Sequence, residues 1–574
     1  MKGTVMEEKN TKKRIRLKKI IRVILAVLAV VLLIGGIIFL VNYRKIAADL
    51  DMNKKIKFMR KDTGATDLHL SLTEEQKLKD LDYLYDLVCL QNPKKELFEE
   101  VYGISYEELY DFYRELALNS EDEYEYFSYV ASFLAVLPGN HNSMFFPNYP
   151  LVASTITFGL TDLFATQEMK DYSYSWIQEF RDDVERYDEP EKFLFSYRDG
   201  KYIGSSGGDF SSDFAQGELI SIDGKDPKEL CFAFVNRQVP IYDSGNECFF
   251  RDYLIFNDEF GLKHSAEVRM PDGTVVTREF YEHPGVEIAI NNRHCYSEQN
   301  SVSQNDPETS VETSESQKNE TKKEDRGSYY IATDVSKQLV YIYTSACDSS
   351  EGGKLAKELK TVLKETDPEY VILDIRENSG GASGFVTEQL LPVLFCHDVE
   401  YRPVVMGTKN DHTRNFYENP FYAGSRSFSS DEKYFYYSEY FSVKGKAKKN
   451  YKIYVMTSQD SFSSADILTN LCKEYDNAVI VGTNTKGEGI SGSPLCAYLP
   501  ESHFMFDYMA TVNQEHPENS YYGTMPDIYL HSDPESIAKK KELRNLGEEY
   551  NTYEARKNWD SMLIRVLEMI DEEQ

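Results

Sequence analysis

The chain has 574 residues, enough for about two or three domains with ordinary cores, and 41% of them are hydrophobic. Its 64 basic and 95 acidic side chains leave a net charge of −31, a surface that repels nucleic acid and anionic lipid headgroups. Eight cysteines stand singly with no Cys-x-x-Cys pair, which argues against structural zinc, and no phosphate-binding glycine loop, His-Glu-x-x-His or EF-hand pattern appears. No cofactor or metal is therefore expected.

Residues 1–22 form a basic tail with nine basic and two acidic side chains, so the rest of the chain carries −38. Val23–Val41 follows, 19 uncharged and almost wholly apolar residues, long enough to cross a bilayer as a helix. The basic flank is expected to stay in the cytoplasm and the remainder to be exported, which makes the tail topogenic and not a nucleic-acid patch. A cleaved signal peptide is the alternative, but the apolar run exceeds an ordinary signal core and no Ala-x-Ala follows it. Residues 42–71 read as a juxtamembrane linker.

Residues 72–150 read as a helical domain. Thr73-Glu-Glu caps an apolar-periodic stretch through Leu78, Leu81, Leu84 and Val88, and Tyr106–Leu116 and Tyr124–Leu137 continue the pattern. In 151–296 the apolar runs shorten and alternate between turn signals at Asp199-Gly, Asp223-Gly and Asp272-Gly, so this region reads as strands. Residues 297–327 are rich in Ser, Glu, Asn, Thr, Gln and Lys and cannot bury enough surface to fold, which predicts a disordered linker. From 328 to 535 strands alternate with helices: Val340–Tyr343, Lys354–Glu365, Val371–Ile375, Thr387–Phe395, Ile453–Thr457, Ser464–Glu474 and Val479–Val481. Residues 536–574 read as a C-terminal helical segment.

Two segments of this core carry chemistry. Tyr454–Ile467 is an apolar strand that enters a Ser-rich turn and opens a helix, placing Ser463 beside the positive end of that helix. Tyr370–Gly381 is a buried-strand pattern ending in Gly380-Gly381, whose bare amides could bind an oxyanion. Taken alone, the first is also an ordinary helix cap, a role open to Ser461, Ser463 or Ser464, and the second an ordinary turn.

Together these blocks resemble the C-terminal processing peptidases, or tail-specific proteases, and the related tricorn-core enzymes. Leu373–Gly381 is similar to the family's Leu-Asp-Leu-Arg-x-Asn-x-Gly-Gly strand end and Ser461–Asp466 to its nucleophile turn. Ala478–Gly489 is similar to its Val-Gly-x-x-Thr-x-Gly segment and Gly523–Ile528 to its closing Gly-x-x-Pro-Asp strand. The resemblance implies a crotonase-like (ClpP/crotonase) core of β-β-α units, a PDZ-like β domain announced by Gly217–Lys225, and a serine peptidase acting on proteins or peptides. No Gly-Leu-Gly-Phe carboxylate loop is present, so peptide binding by the β domain and a merely structural role stay open.

A serine hydroxyl needs a base. In the lysine-using branch the base lies 25 residues after the serine, and here that position is Glu488; Lys486, two residues earlier, is the alternative. The tricorn branch uses a histidine at the end of its helical domain, where this chain has Leu137-Pro-Gly-Asn-His-Asn-Ser143, so His141 is the preferred base. Asp411-His-Thr413 matches that motif literally but lies between the glycine strand and the serine turn. The third member is then Glu518, in the Glu-Asn pair before Gly523, and His516 beside it reads as a solvated loop residue. The oxyanion donors are the amides of Gly380 or Gly381 and of Ser464. Asp374 and Arg376 are expected to fix the strand end. The competing class is an inactive relative that tethers a partner at the membrane. The sequence leaves substrate and oligomeric state open.

Overall fold

A computed structural model describes residues 71–145 and, with short interruptions, 175–285 and 328–574. The chain divides into two units, and residues 62–145 with 178–574 make up the one described below. Of the other, 1–61 with 146–177, the described residues are Ser175 and Trp176, and Trp176 is buried. The basic tail, the expected span 23–41, nearly all of the juxtamembrane linker and 297–327 lie outside the described residues. Among the described residues no helix is long and apolar enough to cross a membrane.

The helical region opens at Thr73, which accepts the Gln76 N–H at 3.3 Å while Gln76 Oε1 accepts the Thr73 N–H at 2.9 Å, a reciprocal cap that starts α1 (Glu74–Leu84). Helices α2 (Lys95–Tyr102) and α3 (Tyr106–Leu118) follow, the latter started by the same reciprocal pair at Ser105 and Glu108. In α4 (Glu123–Val136) every position after Glu123 is buried, which accounts for a sequence apolar nearly all round. The helix ends at Leu137, extended (ψ 147°) ahead of Pro138, and there the turn carrying His141 begins.

Strands β1 (Lys192–Arg198), β2 (Lys201–Ser205), β3 (Glu218–Ile222), β4 (Tyr253–Asn257), β5 (Leu262–Arg269) and β6 (Val275–Glu282) close into an antiparallel barrel ordered β1-β2-β3-β5-β6-β4. Phe193, Phe195, Phe256 and Phe280 fill it. The β1–β2 turn is Asp199-Gly200 with φ of +47° and +80°, the left-handed pair that matches strand twist.

The core is a six-stranded sheet ordered β7 (Tyr329–Asp334), β8 (Leu339–Thr344), β9 (Tyr370–Asp374), β10 (Lys452–Thr457), β11 (Ala478–Gly482), β12 (Ile528–Tyr529), parallel except for the β7–β8 pair. Its four inner strands are buried on both faces, and the alternation shows in what each residue meets. Val340, Ile342, Leu373, Ile453 and Val455 pack against α5 (Ser349–Thr366) and α6 (Ser464–Lys473). Tyr341, Ile372, Tyr454 and Met456 pack against α7 (Ser561–Glu573).

Two helices differ from their sequence pattern. Helix α5 starts at Ser349, five residues before the expected Lys354, because Asp348 caps it and Gly352 lies where a Cβ would stand 1.8 Å from Gln389 Oε1. The expected helix Thr387–Phe395 is a wide π-type turn at Phe385–Leu390 leading into Leu391–Leu394. Pro392 supplies no N–H to the Glu388 carbonyl and its ring crowds that carbonyl, so the regular ladder does not run through.

Candidate active site

Strand β10 delivers the chain to a turn that is tied to the end of β9 and to Gly487. Ser461 Oγ donates to Ile375 O at 2.8 Å, the Phe462 N–H to Asn378 O at 3.0 Å and the Ser463 N–H to Gly487 O at 3.1 Å. Ser463 is thereby held at φ +55°, ψ −112°, a conformation that costs a non-glycine residue about 1–3 kcal/mol. Its side chain makes no capping bond to α6, so its hydroxyl is not spent as a helix cap.

Beside it, Gly380 (φ +92°) and Gly381 (φ +133°) let the two segments touch: a Cβ on Gly380 would stand 2.9 Å from Ser463 Cβ, and one on Gly381 2.7 Å from Cys347 O. The Gly380 N–H is taken by Asn378 Oδ1 at 2.9 Å, which removes it as an oxyanion donor. Among the described residues the N–H groups of Gly381 and Ser464 donate to no acceptor, and Ser464 Oγ ties the two together by donating to Gly381 O at 2.7 Å.

Buried Asp466 fastens α6 to the later blocks by accepting from Thr485 Oγ1 and Thr524 Oγ1, both at 2.6 Å, and from the Gly489 N–H at 3.0 Å. Asp527 accepts the Ile480 N–H at 2.8 Å. Asp374 and Arg376 serve the strand end: Arg376 bridges Asp374 and Asp560, the cap of α7, and its charge together with that of Arg556 holds Asp374 far below the carboxylate range despite burial.

The turn after α4 brings His141 to this site, its ring 4.5 Å from that of Phe462, the residue before Ser463. Asn142 shapes the turn, donating to Pro138 O at 2.9 Å and accepting the Met509 N–H at 2.9 Å. Asn140 Nδ2 donates to Lys486 O. Burial, then the charge of Lys486, pushes the His141 pKa down to about 4, so the imidazole is neutral at physiological pH. No described residue hydrogen-bonds it.

Lys486 Nζ lies 5.9 Å from the Phe462 ring centre. It faces two carboxyls that sequence reasoning missed, Asp252 at the entry to β4 and Asp460 in the nucleophile turn. Burial pushes Asp252 up to about 6 against the pull of Lys486, and raises Asp460 likewise. Asp252 carries no sequence signal, because only the fold brings the barrel edge here.

Glu518 is not beside His141. It is half exposed, with Oε1 3.1 Å from His516 Nδ1, so the pair His516–Glu518 stands where a pair with His141 is expected. His412 lies on the separate helix Asp411–Glu418 with its ring 5.6 Å from Tyr508.

Residues 338–529 match the profile of peptidase family S41. Among solved structures the chain is similar to mature CPAF complexed with lactacystin, at 16% identity and a TM-score of 0.43, covering 80% of this chain and 94% of that one. It is similar to the photosystem II D1 C-terminal processing protease at 12% identity and a TM-score of 0.32, covering 81% of this chain and 95% of that one. A match to the tricorn protease, at 12% identity and a TM-score of 0.28, covers 88% of this chain and 37% of that one. No curated protein matches the chain.

Proposed function

We propose that this chain, a serine-type peptidase whose residues 338–529 belong to peptidase family S41, cleaves exported proteins or peptides through an acyl-enzyme at Ser463, with His141 as base. The observation that carries the reading is Ser463 itself, strained, uncapped and beside two unspent N–H groups, with a neutral imidazole against the adjoining Phe462.

In this reading Ser463 Oγ attacks the scissile carbonyl carbon as His141 takes its proton, and the carbonyl oxygen becomes an oxyanion between the Gly381 and Ser464 N–H groups. Each donor is worth about 3 kcal/mol in the barrier when aimed at that oxygen. Collapse expels the amine, which receives the proton from His141. Water, activated by the same imidazole, then attacks the acyl carbon and frees Ser463. His141 gains the imidazolium charge transiently and near Lys486, and Glu518 would reach it only by leaving His516.

The remaining features of the reading are a membrane anchor at 23–41 with the catalytic domain outside the cytoplasm, a crotonase-like core and a PDZ-like role for the barrel. The long uncharged run after a basic tail supports the anchor. Lys486 as base is the second reading, favoured by its place beside Phe462.

Labelling of the full chain with a fluorophosphonate probe, mapped by mass spectrometry, tests this. Modification of Ser463 that is lost in His141→Ala is the expected result. Labelling that survives in His141→Ala but not in Lys486→Met moves the base to Lys486, and a folded chain that never labels favours a binding protein on a peptidase fold.

A further inference from the structure

Glu488 is wholly buried, although a carboxylate at that depth is costly unless it is paired. Its backbone is left-handed, φ +67°, with the N–H given to Asn519 Oδ1 at 3.0 Å. Its carboxyl faces the Asn140 N–H and the hydroxyls of Ser491 and Ser520, yet those hydroxyls bond each other at 3.2 Å and neither carboxyl oxygen closes a well-formed hydrogen bond. A buried orphan of this kind calls for a reason.

The reason lies in what the 486–488 turn touches. Gly487 O accepts the Ser463 N–H, and Lys486 O accepts from the side chain of Asn140, the residue before His141. The nucleophile turn and the base turn therefore meet on these three residues, with Glu488 beneath the Asn140 backbone. We infer that Glu488 is a positioning residue: its carboxyl seats the Asn140–His141 turn against the turn that holds the Ser463 backbone, and so sets where the base stands. The inference rests on His141 being the base.

The charged and titratable groups that act on its carboxyl are Asp466 on α6 and Tyr521 on the short helix Asn519–Tyr522, with Lys486 two residues back on its own turn and His141 next to Asn140. Burial, with Asp466 adding to it, pushes Glu488 up to about 7. Its folded pKa is raised, so the support it gives is full below the ordinary value of 4.5 and is lost as pH rises through about 7, when a charge appears under the turn.

The test is the rate of fluorophosphonate labelling of Ser463 in the full chain from about pH 5 to about pH 9, in the native protein, Glu488→Gln, Glu488→Ala and His141→Ala. Glutamine keeps the shape and cannot ionise, so Glu488→Gln is expected to label within about threefold of the native rate at low pH and to lose the decline centred near pH 7. Glu488→Ala is expected to label at least about tenfold more slowly at every pH. A native-like rate and profile in Glu488→Ala overturns the inference, as does a decline near neutral pH that persists in Glu488→Gln; the glutamine profile decides if the alanine variant does not melt cooperatively. Undiminished labelling in His141→Ala overturns the reading beneath it, whereas slow His141→Ala beside native-like Glu488→Ala overturns the positioning role alone.

Discussion

The nucleophile turn and the base turn face each other across Phe462, but they are held by different means. From Ser461 to Ser463 three successive backbone N–H groups donate to backbone carbonyls, of Ser458, Asn378 and Gly487. The turn at 137–142 is held largely by the amide side chains of Asn140 and Asn142, reaching residues 346 and 367 positions away. Backbone lashings survive most substitutions; side-chain lashings fail one residue at a time. The first turn is therefore the rigid partner, and the position of the base relative to it is the quantity that mutation and pH can alter.

Ser463→Ala breaks the rigid side chemically without breaking it structurally. Labelling and hydrolysis should fall by at least about 10³-fold, with the thermal midpoint little changed. Ser463→Gly should be equally inactive but more stable, by up to about 1–3 kcal/mol, because glycine accepts φ +55° without strain. A midpoint that drops in the glycine variant would show that the turn is not strained.

Asn142→Ala attacks the other side. It removes two donated bonds and one accepted bond from a buried residue and leaves the Met509 N–H and the Leu137 and Pro138 carbonyls unpaired. A loss of about 1–3 kcal/mol in stability is expected, with labelling of Ser463 slowed by about tenfold or more because His141 loses its seat. Loss of stability with an unchanged labelling rate would mean that the base turn does not set the rate.

The same contrast governs how much could be read from the chain. The β10–turn–α6 unit shows in sequence because its elements are local: an apolar strand, a serine-rich turn and an amphipathic helix, all between Lys452 and Lys473. The barrel turns Asp199-Gly200 and Asp272-Gly273 show for the same reason, each being a left-handed pair or single at a strand end. Closure of those strands into a barrel does not show, since it depends on β4 pairing with both β1 and β6. Nor does the choice between Gly380 and Gly381, because it turns on which N–H the Asn378 side chain consumes. Glu518 illustrates the limit most directly: its offset from Gly523 is a sequence fact, but its side-chain direction, toward His516, is a rotamer fact.

Lys486→Met sharpens the base side electrostatically. Lys486 is the second cause, after burial, of the low His141 pKa, so its removal should raise that pKa part of the way from about 4 toward 6.5. Because the folded value is depressed, His141 adds stability above pH 6.5 that is lost as pH falls through about 4, and the variant should lose less in that window. In the labelling profile the acid limb should move to higher pH. The Asp252 carboxyl, which Lys486 holds down, should rise above its value of about 6 in the same variant, which NMR titration can follow. An unmoved acid limb would place the Lys486 charge away from the imidazole in solution.

The smallest effect is expected from Glu518→Ala, and it decides whether the comparison drawn from the free protein holds during reaction. An exposed pair such as His516–Glu518 contributes about 0–1 kcal/mol, so stability should barely change. Labelling should change by less than about threefold if His141 works without this carboxylate. A loss of about a hundredfold would have a specific meaning, since a carboxylate matters to the base only by stabilising the imidazolium it becomes. It would show that Glu518 leaves His516 for His141 when the site is occupied and that the base side completes itself only then, leaving the nucleophile turn as the half that is assembled in advance.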